Sequence, residues 1–462
     1  MRPGPFSVDA LPAWCDGHGV KIHGLKVADV EGRGNGWIAQ EDLNSDYEDA
    51  APARPLLVIP KDIVVSVALV MQYATENAQF SQLIHAVDFQ TERQFVLSYM
   101  MMQLVLSSPD YKNEAVIPPA AWTQYIGLQP RDVPVPTMWS EAELLLLRST
   151  SLESAVAAKM ALLAREFAAI QAKTRDIPFW RELLSEHITL RDWIWVDALL
   201  RSRSFDLPYS GVAMVPCLDL ANHSVANTAY WRQDPGSEAV TLLLPKGSSV
   251  SAGEEITINY GKDKPAAEML FNYGFIDSSS GAQSLVLSLD EMLEEAGNDP
   301  FLEAKLRIFN AAPLLELRID EKGKARWSAP FLHLMCVQKQ DGLAFETQER
   351  QGQQSQRMLW RGKDITSMAV MFDVFINAQN VREVVQFRVV SVLLGVVEKQ
   401  LDRIRDGRRS SEREVRQGVL QAALQLRSIE TDVLERCLLA LKGERDQLAQ
   451  DKRVVAYTNK SP

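Results

Sequence analysis

Short runs in which apolar and polar residues alternate, or in which apolar residues follow one another, occur near the start of the chain and again in its middle. Such runs predict β-strands, because neighbouring side chains of a strand point to opposite faces of a sheet. Five runs have this pattern, at residues 20–27, 56–60, 211–215, 240–244 and 255–259. Pro216 ends the third of them, since proline has no backbone N–H to give to a sheet ladder.

Most of the remaining chain has apolar residues at helical spacing. Between about residues 67 and 200 this pattern predicts an amphipathic helix at 91–106, a helix capped by Ser140 and an Ala-rich helix at 152–172. Beyond residue 281 the same spacing predicts helical segments at 302–309, 364–378, 381–405 and 411–448. We therefore expect a mainly helical C-terminal region.

Three glycines at alternate positions follow the first predicted strand, namely Gly32, Gly34 and Gly36. Glycine accepts positive φ angles and lets a ligand approach the backbone closely. The spacing is neither that of a dinucleotide-binding turn nor that of a phosphate-binding loop with its lysine. The residues alone favour a tight hairpin, and a ligand-binding turn is the alternative.

Composition narrows the class of protein. A chain of 462 residues is long enough for two or three domains, and 46% hydrophobic with 24% charged residues is typical of a soluble globular protein. The net charge of −11 argues against direct nucleic-acid binding and is compatible with a basic protein segment as partner. The start of the chain lacks a signal-peptide pattern, and apolar runs stay short of about 20 residues. We expect a cytoplasmic or nuclear location without membrane contact.

The cysteines give no indication of a metal site. Cys15, Cys217, Cys336 and Cys437 lie far apart, with no pair separated by two residues. A zinc site needs clustered thiolates or imidazoles, so we expect no bound metal. Free thiols in a reducing compartment are the simpler interpretation.

A compact polar set follows Pro216 and consists of Asp219, Asn222, His223 and Ser224. The strand predicted at 255–259 leads into Tyr260-Gly261, and Tyr273-Gly274-Phe275 follows. Upstream of these motifs stands Ser202-Arg203-Ser204-Phe205. Each residue alone is more often a core or surface residue than a functional one. Their order along the chain is what indicates a function.

This order resembles that of the SET-domain methyltransferases. The chain is most similar to the group whose SET domain is split by a helical insert, which includes plant Rubisco large-subunit lysine methyltransferase, actin histidine methyltransferase and fungal ribosomal-protein lysine methyltransferases. The resemblance implies an α+β fold: a SET β-fold with small antiparallel sheets and a knot-like C-terminal half, an inserted helical region and an all-α C-terminal domain. It places the two SET parts at 18–76 and 201–280, the insert at 77–200 and a substrate-binding-like domain at 281–462.

The resemblance also implies S-adenosylmethionine (AdoMet) as cofactor and a role for each motif. Tyr260 is the implied catalytic residue. The implied cofactor-binding residues are Arg33, Gly34, Asn35, Gly36, Trp37, Arg203, Asn222, His223, Tyr260 and Phe275. The implied substrate-binding residues are Arg203, Asp219, Tyr230, Tyr260 and Tyr273, with Tyr273 and Phe275 lining a channel for the acceptor side chain.

Two details of these roles depend on residue chemistry. The rigid fork of Arg203 suits the carboxylate of AdoMet, because it can pair with two oxygens. Arg33 departs from the relatives, in which an acidic residue often precedes the first glycine. The stretch 31–34 is therefore a second possible register for the turn.

The implied function is a protein-lysine N-methyltransferase that acts on a basic, lysine-bearing segment of a non-histone protein, with a ribosomal or translation-related protein as the expected substrate. The missing zinc-binding flanks make a histone substrate less favoured, and we expect a monomer. Histidine methylation is one alternative, against which the pair Tyr260 and Tyr273 argues. A non-catalytic adaptor is the other, and the unusual Arg33 and Trp37 keep it open.

Overall fold

The structure is a computed structural model that describes residues 1–45, 54–112, 117–261, 264–277, 283–295, 299–350, 353–407 and 415–459. The chain forms two compact units. The first contains Met1–Trp139, Ala155–Lys264 and Met269–Phe275, and the second contains Ser140–Ser154, Pro265–Glu268 and Ile276–Pro462. The domain boundaries drawn from the sequence stay predictions, and the one at 280/281 lies outside the described residues.

Small sheets form the framework of the first unit. Its strands are β1 (Lys21–Ile22), β2 (Leu25–Val30), β3 (Gly34–Ala39), β4 (Leu43–Asn44), β5 (Leu57–Ile59), β6 (Ser204–Leu207), β7 (Gly211–Met214), β8 (Asn222–His223), β9 (Tyr230–Gln233), β10 (Val240–Leu243), β11 (Ser249–Val250) and β12 (Glu255–Ile258). Two four-stranded sheets have the orders β1-β5-β10-β9 and β2-β3-β12-β8, and β4 pairs with β11 and β6 with β7. Strands from both sides of the helical region therefore share each large sheet.

Helices occupy the chain between these two sets of strands and also flank them. They are α1 (Leu11–Gly17), α2 (Val67–Glu76), α3 (Ala78–Val87), α4 (Glu92–Ser107), α5 (Ala121–Tyr125), α6 (Glu141–Leu144), α7 (Ser151–Thr174), α8 (Pro178–Glu182), α9 (Leu190–Arg203) and α10 (Ala266–Tyr273). Capping boxes begin α4 at Thr91, α6 at Ser140 and α9 at Thr189, where each side chain accepts from a backbone N–H of the first turn. The predicted N-cap at Ser140 is confirmed.

Large aromatic residues fill the core of the first unit. Trp122, Trp180 and Trp193 are fully buried. A buried indole needs a hydrogen-bond acceptor for its N–H. Trp122 Nε1 donates to the carbonyl of Ile63 at 2.8 Å, and Trp180 Nε1 donates to the carbonyl of Gln79 at 2.7 Å. The first bond joins α5 to the connection that follows β5, so helices and sheets share one core, and the second joins α8 to α3.

The second unit is not all helical, and this part of the expected fold is wrong. Its strands are β13 (Gln283–Ser288), β14 (Leu314–Ile319), β15 (Ala325–Ser328), β16 (Leu343–Arg350), β17 (Gln353–Trp360) and β18 (Lys363–Asp364), in two three-stranded antiparallel sheets. Along β14 the buried residues Leu315, Leu317 and Ile319 alternate with exposed ones. This period of two is present in the sequence, but leucine, glutamate and arginine also have high helix propensity. The segment is a strand because it pairs with β13 and β15 in the folded chain.

Besides α6, the second unit contains the helices α11 (Asp290–Glu295), α12 (Leu302–Phe309), α13 (Pro330–Met335), α14 (Phe372–Asn377), α15 (Arg382–Asp406), α16 (Gln417–Leu448) and α17 (Lys452–Thr458). The helix predicted at 302–309 is confirmed, and α15 lies within one residue of its predicted bounds. The predicted start of the last long helix at 411 lies outside the described residues. The prediction at 364–378 is wrong in its first half, which holds the end of β18 and a short 3₁₀ turn.

The segment Ser140–Ser154 is joined to α15 and α16 through polar contacts. Glu143 accepts from Arg416 Nε at 2.7 Å, and this hydrogen bond lowers the pKa of the Glu143 carboxyl to about 2. Arg427 donates to the carbonyls of Leu146 at 3.1 Å and Arg148 at 2.7 Å. These bonds satisfy buried groups of a connecting segment, so the segment is a structural part of the second unit.

Glu430 in the second unit makes its stability depend on pH. The buried Glu430 carboxylate accepts from Ser151 Oγ at 2.5 Å and Ser151 N at 3.1 Å, but burial raises the pKa of Glu430 from 4.5 to about 7. The folded chain therefore holds this proton to a higher pH than the unfolded chain does. The contribution of this proton to the free energy of unfolding is fully present below about pH 4.5 and is lost as the pH rises to about 7.

We expect Glu430→Gln to change this dependence, because an amide stays neutral at every pH. The difference in melting temperature, variant minus parent, should be larger at about pH 8 than at about pH 5, because only the parent loses stability over this range. Differential scanning fluorimetry at both pH values checks this. A difference between variant and parent that stays constant across the range would contradict the assignment.

Candidate functional site

The arrangement of the candidate site depends on two strands that lie side by side although they are distant in sequence. β8 pairs parallel to β12, with Asn222 opposite Thr257 and His223 opposite Ile258. The other edge of β12 pairs antiparallel with β3, which carries the glycine turn. Tyr260 follows the end of β12. The strand order thus brings the glycine turn, the Asn-His step and this tyrosine together.

A polar cluster joins these strands around Glu255. Arg33 donates to Glu255 Oε2 at 2.5 Å and also to the backbone carbonyl of His223. Asn222 Nδ2 donates to Glu255 Oε1 at 2.8 Å. Gly36 lies against the same groups, because a Cβ added there would lie 2.8 Å from Asn222 Nδ2 and 2.9 Å from Glu255 Oε1. A side chain at position 36 would therefore force the Asn222 amide and the Glu255 carboxylate to move.

The other residues of the turn have different environments. Gly34 has a φ of +74°, and a Cβ there would meet nothing within 4 Å, so its backbone conformation is what favours glycine. Asn35 is half-buried, whereas Trp37 is buried in the core. The Trp37 indole donates to the carbonyl of Cys217 at 2.7 Å. The Trp37 side chain is therefore a core contact, and its backbone lies in the central strand between β2 and β12.

Four rings form an aromatic cluster beside the parallel strands. Tyr260 lies 4.9 Å from Tyr273 and 5.2 Å from His223, measured between ring centroids. Phe275 lies 5.8 Å from His223 and 6.3 Å from Tyr273. Tilted aromatic rings at these separations attract one another and leave little room for water between them.

Tyr260 is held by three hydrogen bonds. Its hydroxyl donates to the carbonyl of Ala221 at 2.9 Å, and its backbone N–H donates to His223 Nδ1 at 3.1 Å. The Tyr273 hydroxyl donates to the carbonyl of Tyr260 at 3.2 Å. Burial raises the pKa of Tyr260 to about 12, so its hydroxyl is protonated at neutral pH and acts as a hydrogen-bond donor.

Asp219, on the turn that precedes β8, and Arg203, the last residue of α9, form a second cluster. The Asp219 carboxylate is buried and accepts from the Tyr125 hydroxyl at 2.5 Å and from Gln129 Nε2 at 2.9 Å. Arg203 Nη1 donates to the backbone carbonyl of Asp219 at 2.7 Å and lies 3.7 Å from its carboxylate. Burial raises the pKa of the Asp219 carboxyl, although the nearby Arg203 acts in the opposite direction.

The structure therefore brings most of the residues singled out from the sequence into two neighbouring groups. Arg33, Gly36, Asn222, His223, Tyr260, Tyr273 and Phe275 make up the first, and Arg203 with Asp219 the second. Tyr230 on β9 is 39% exposed, and the ring contacts of the described residues do not link it to the aromatic cluster. The functional role of each of these residues stays a prediction.

Sequence reasoning missed Glu255, Tyr125 and Gln129. Glu255 carried a weak signal, as an acidic residue at the start of an otherwise apolar strand. Tyr125 and Gln129 lie at the end of α5 and just beyond it, about 90 residues before their partner Asp219. A pattern along the chain does not reveal such a pairing.

No group of three or more His, Cys, Asp or Glu side chains in the described part of the chain is placed to hold a metal ion. Among the helices described, none is both long enough and apolar enough to cross a membrane.

Comparison with known proteins gives relatives in sequence. SET domain-containing protein 8 of Schizosaccharomyces pombe is 26% identical over 328 residues, covering 70% of this chain and 70% of that protein. The chloroplastic fructose-bisphosphate aldolase-lysine N-methyltransferase of Arabidopsis thaliana is 30% identical over 217 residues, 46% of this chain and 43% of that enzyme. Human actin-histidine N-methyltransferase is 23% identical over 282 residues, which cover 58% of this chain and 42% of that enzyme. The alignments thus span less than half of the latter two enzymes. No family model matches the chain.

Solved structures agree over nearly the whole chain. The SET domain of LSMT bound to lysine and AdoHcy superposes with a TM-score of 0.69 at 19% identity, covering 98% of this chain and 95% of that one. Rubisco LSMT bound to AdoMet gives a TM-score of 0.68 at 19% identity, with 98% and 96% covered.

These findings confirm the α+β fold class: the chain is a SET-fold protein. Within that class it is similar to Rubisco LSMT, as its motifs predict.

The buried network around Asp219 makes Tyr125 important for stability. Tyr125→Phe removes the donor to Asp219 Oδ1 and the acceptor of the Cys217 N–H, which lies 2.7 Å from the hydroxyl. Since buried unpaired polar groups are costly, we expect the free energy of unfolding to fall by about 2 kcal/mol or more. Urea titration followed by tryptophan fluorescence measures this.

Tyr209→Phe is the control, because Tyr209 is 56% exposed. It should change the free energy of unfolding by less than about 0.5 kcal/mol. Equal effects of the two variants would contradict a structural role for the Tyr125 hydroxyl.

Proposed function

We propose that this protein is an AdoMet-dependent protein methyltransferase whose acceptor is a lysine side chain. The observation that carries the proposal is the half-buried Tyr260, whose hydroxyl is protonated at neutral pH, among the rings of His223, Tyr273 and Phe275, beside the strands that hold the glycine turn. This arrangement is what methyl transfer to an amine needs: a narrow apolar channel, fixed polar groups and little water.

The residues around the glycine turn fit a cofactor with a nucleoside end and an amino-acid end. Gly36 lacks a side chain where the Asn222 amide and the Glu255 carboxylate approach within 3 Å of its Cβ position. Asn222, His223 and the backbone of the turn would hold the adenosine end, and Arg203 would pair with the carboxylate. AdoMet, when bound, supplies a methyl group on a positively charged sulfur.

The side chains of the cluster have separate roles in this proposal. Tyr273 and Phe275 bury the aliphatic stem of the acceptor lysine, since aromatic walls exclude water from it. The Tyr260 hydroxyl and the Ala221 carbonyl to which it donates provide fixed dipoles near the reacting centre. The acceptor amine must lose its proton before transfer, because an ammonium has no lone pair for an in-line displacement. A dry channel favours this neutral form.

Lysine is favoured over histidine as acceptor by the two tyrosines at the cluster. Their hydroxyls both bond to backbone carbonyls, Tyr260 to Ala221 and Tyr273 to Tyr260, so both rings are oriented and would line a channel for an unbranched amine. The Arabidopsis relative, whose name specifies lysine, supports the same choice, whereas the relatives named actin-histidine N-methyltransferase support the alternative. We further propose a non-histone substrate, related to ribosomes or translation, in the cytoplasm or nucleus.

A non-catalytic adaptor is the second candidate, and Arg33 is the observation that favours it. Its guanidinium already bonds to Glu255 and to the His223 carbonyl, groups that face the proposed cofactor region. An arginine there adds positive charge near a site meant for a cationic sulfonium, which is unfavourable unless Glu255 offsets it. Cofactor binding distinguishes the two candidates.

We expect AdoMet to raise the melting temperature of the parent protein through mass action. Gly36→Ala should abolish that rise, since its methyl group would meet Asn222, Glu255 and Val30 within 3 Å. Gly418→Ala on α16 is the matched control, because a Cβ there meets nothing within 4 Å. No rise in the parent and in the control would favour the adaptor.

Methylation itself is tested by incubating the protein with radiolabelled AdoMet and a lysate of cells that lack it. A discrete labelled band should appear, and Tyr260→Phe should weaken it by about 100-fold, the scale on which one oriented polar group affects catalysis. Tyr209→Phe, an exposed tyrosine, should leave the band unchanged. Fragmentation of the labelled protein then identifies the acceptor residue, and a methylhistidine would overturn the choice of lysine.

A further inference from the structure

The helix that ends at Tyr273, α10, has a C-terminal end that requires support from outside the helix. Gly274 has a φ of +83° and its N–H donates to the carbonyl of Leu270 at 3.0 Å, which is the usual left-handed termination of a helix. The following carbonyl, that of Phe271, belongs to the last turn of α10. Carbonyls of a last turn have no partner within their own helix and need one elsewhere.

Arg201, on the last turn of α9, supplies that partner. Its Nη1 donates to the carbonyl of Phe271, and its guanidinium carbon lies 4.8 Å from the centre of the Phe271 ring. A cation at the C-terminus of a helix is also favoured by the helix dipole. Its other two nitrogens donate as well: Nη2 bonds to Thr137 Oγ1 at 2.5 Å and Nε to Asp197 Oδ2 at 2.9 Å.

The Pro-rich segment 134–139, which includes Thr137, packs against the same end of α10. A Cβ at Gly274 would lie 2.6 Å from the backbone carbon of Pro134, so the two backbones are in direct contact. Trp139 Nε1 donates to the carbonyl of Pro134 at 2.8 Å, which holds this segment in shape. The last turn of α10 is thus fixed both by Arg201 and by the segment that Arg201 contacts through Thr137.

Arg201 is itself held in place by a buried carboxylate. Asp197 is completely buried and also pairs with Arg93 at 2.5 Å and Lys159 at 2.8 Å. Burial would raise the pKa of Asp197, but Lys159, Arg201 and Arg93 hold it below its usual value, so the carboxylate stays charged. A planar guanidinium with a charged anchor has little freedom to change its direction.

We propose that Arg201 is a positioning residue: by capping α10 it fixes Tyr273 and Phe275 against Tyr260 and so sets the width of the acceptor channel. Its effect on methylation depends on the proposed function, whereas its effect on the aromatic cluster does not. The width of the acceptor channel determines whether a lysine that already carries a methyl group can bind again and receive another. Loss of the cap should therefore change kcat and the distribution of mono-, di- and trimethylated products more than the KM for AdoMet.

The test labels the protein with 3-fluorotyrosine and follows Tyr273 and Tyr260 by fluorine NMR, with the two resonances assigned through Tyr→Phe variants. Arg201→Gln should shift or broaden both resonances. Arg201→Lys, which keeps the charge but not the fork, should have an intermediate effect. Arg93→Gln is the matched control, since Arg93 bonds to Asp197 and Glu166 of the same buried cluster but not to α10. It should leave both resonances in place.

Unchanged resonances in folded Arg201→Gln would overturn the proposal, and so would equal shifts in Arg93→Gln, because these would indicate general loosening of the buried charges. If Arg201→Gln does not fold, Thr137→Val removes the hydroxyl that accepts from Arg201 Nη2 and should still move the Tyr273 resonance, and no movement there would also overturn the proposal. With the labelled lysate protein as substrate, kcat should fall about tenfold in Arg201→Gln, within the range for small misplacements. A parent without methyltransferase activity would refute the proposed function and leave the NMR result valid.

Discussion

The candidate site depends on one interaction above all, the parallel pairing of β8 with β12. This pairing places His223 opposite Ile258, two residues before Tyr260. A shift of one residue would turn the side chains of β8 to the opposite face of the sheet, since strand side chains alternate. The bonds from the Tyr260 hydroxyl to Ala221 and from its N–H to His223 would then be lost. The register of two short strands thus determines the geometry of the whole aromatic cluster.

Buried polar groups surround this pairing, and their partners come from distant parts of the chain. Glu255 joins Arg33 of the glycine turn to Asn222 of β8, while Asp219 joins Arg203 to Tyr125 of the helical region. Each contact satisfies a group that would be costly to leave unpaired. The helical region therefore contributes directly to the shape of the site as well as to the core.

Much of this arrangement was predictable from the sequence, because the strongest signals are local. Strand runs with a period of two, an N-cap at Ser140 and the positive φ of Gly34 follow from the chemistry of neighbouring residues. The order of the motifs around His223 and Tyr260 was enough to predict the SET fold. Where two local signals competed, as in β14, the sequence did not decide between helix and strand, and the expectation of an all-helical C-terminal region was wrong.

The sequence by itself determined the types of residue available for the site, their order and the class of fold. Tertiary structure alone decided that Arg33 bonds to Glu255, that Tyr125 bonds to Asp219 and that Arg201 caps α10. These pairs join residues between 70 and 222 positions apart. The energy of such a contact depends on distance and burial in the folded chain, and a linear pattern contains neither.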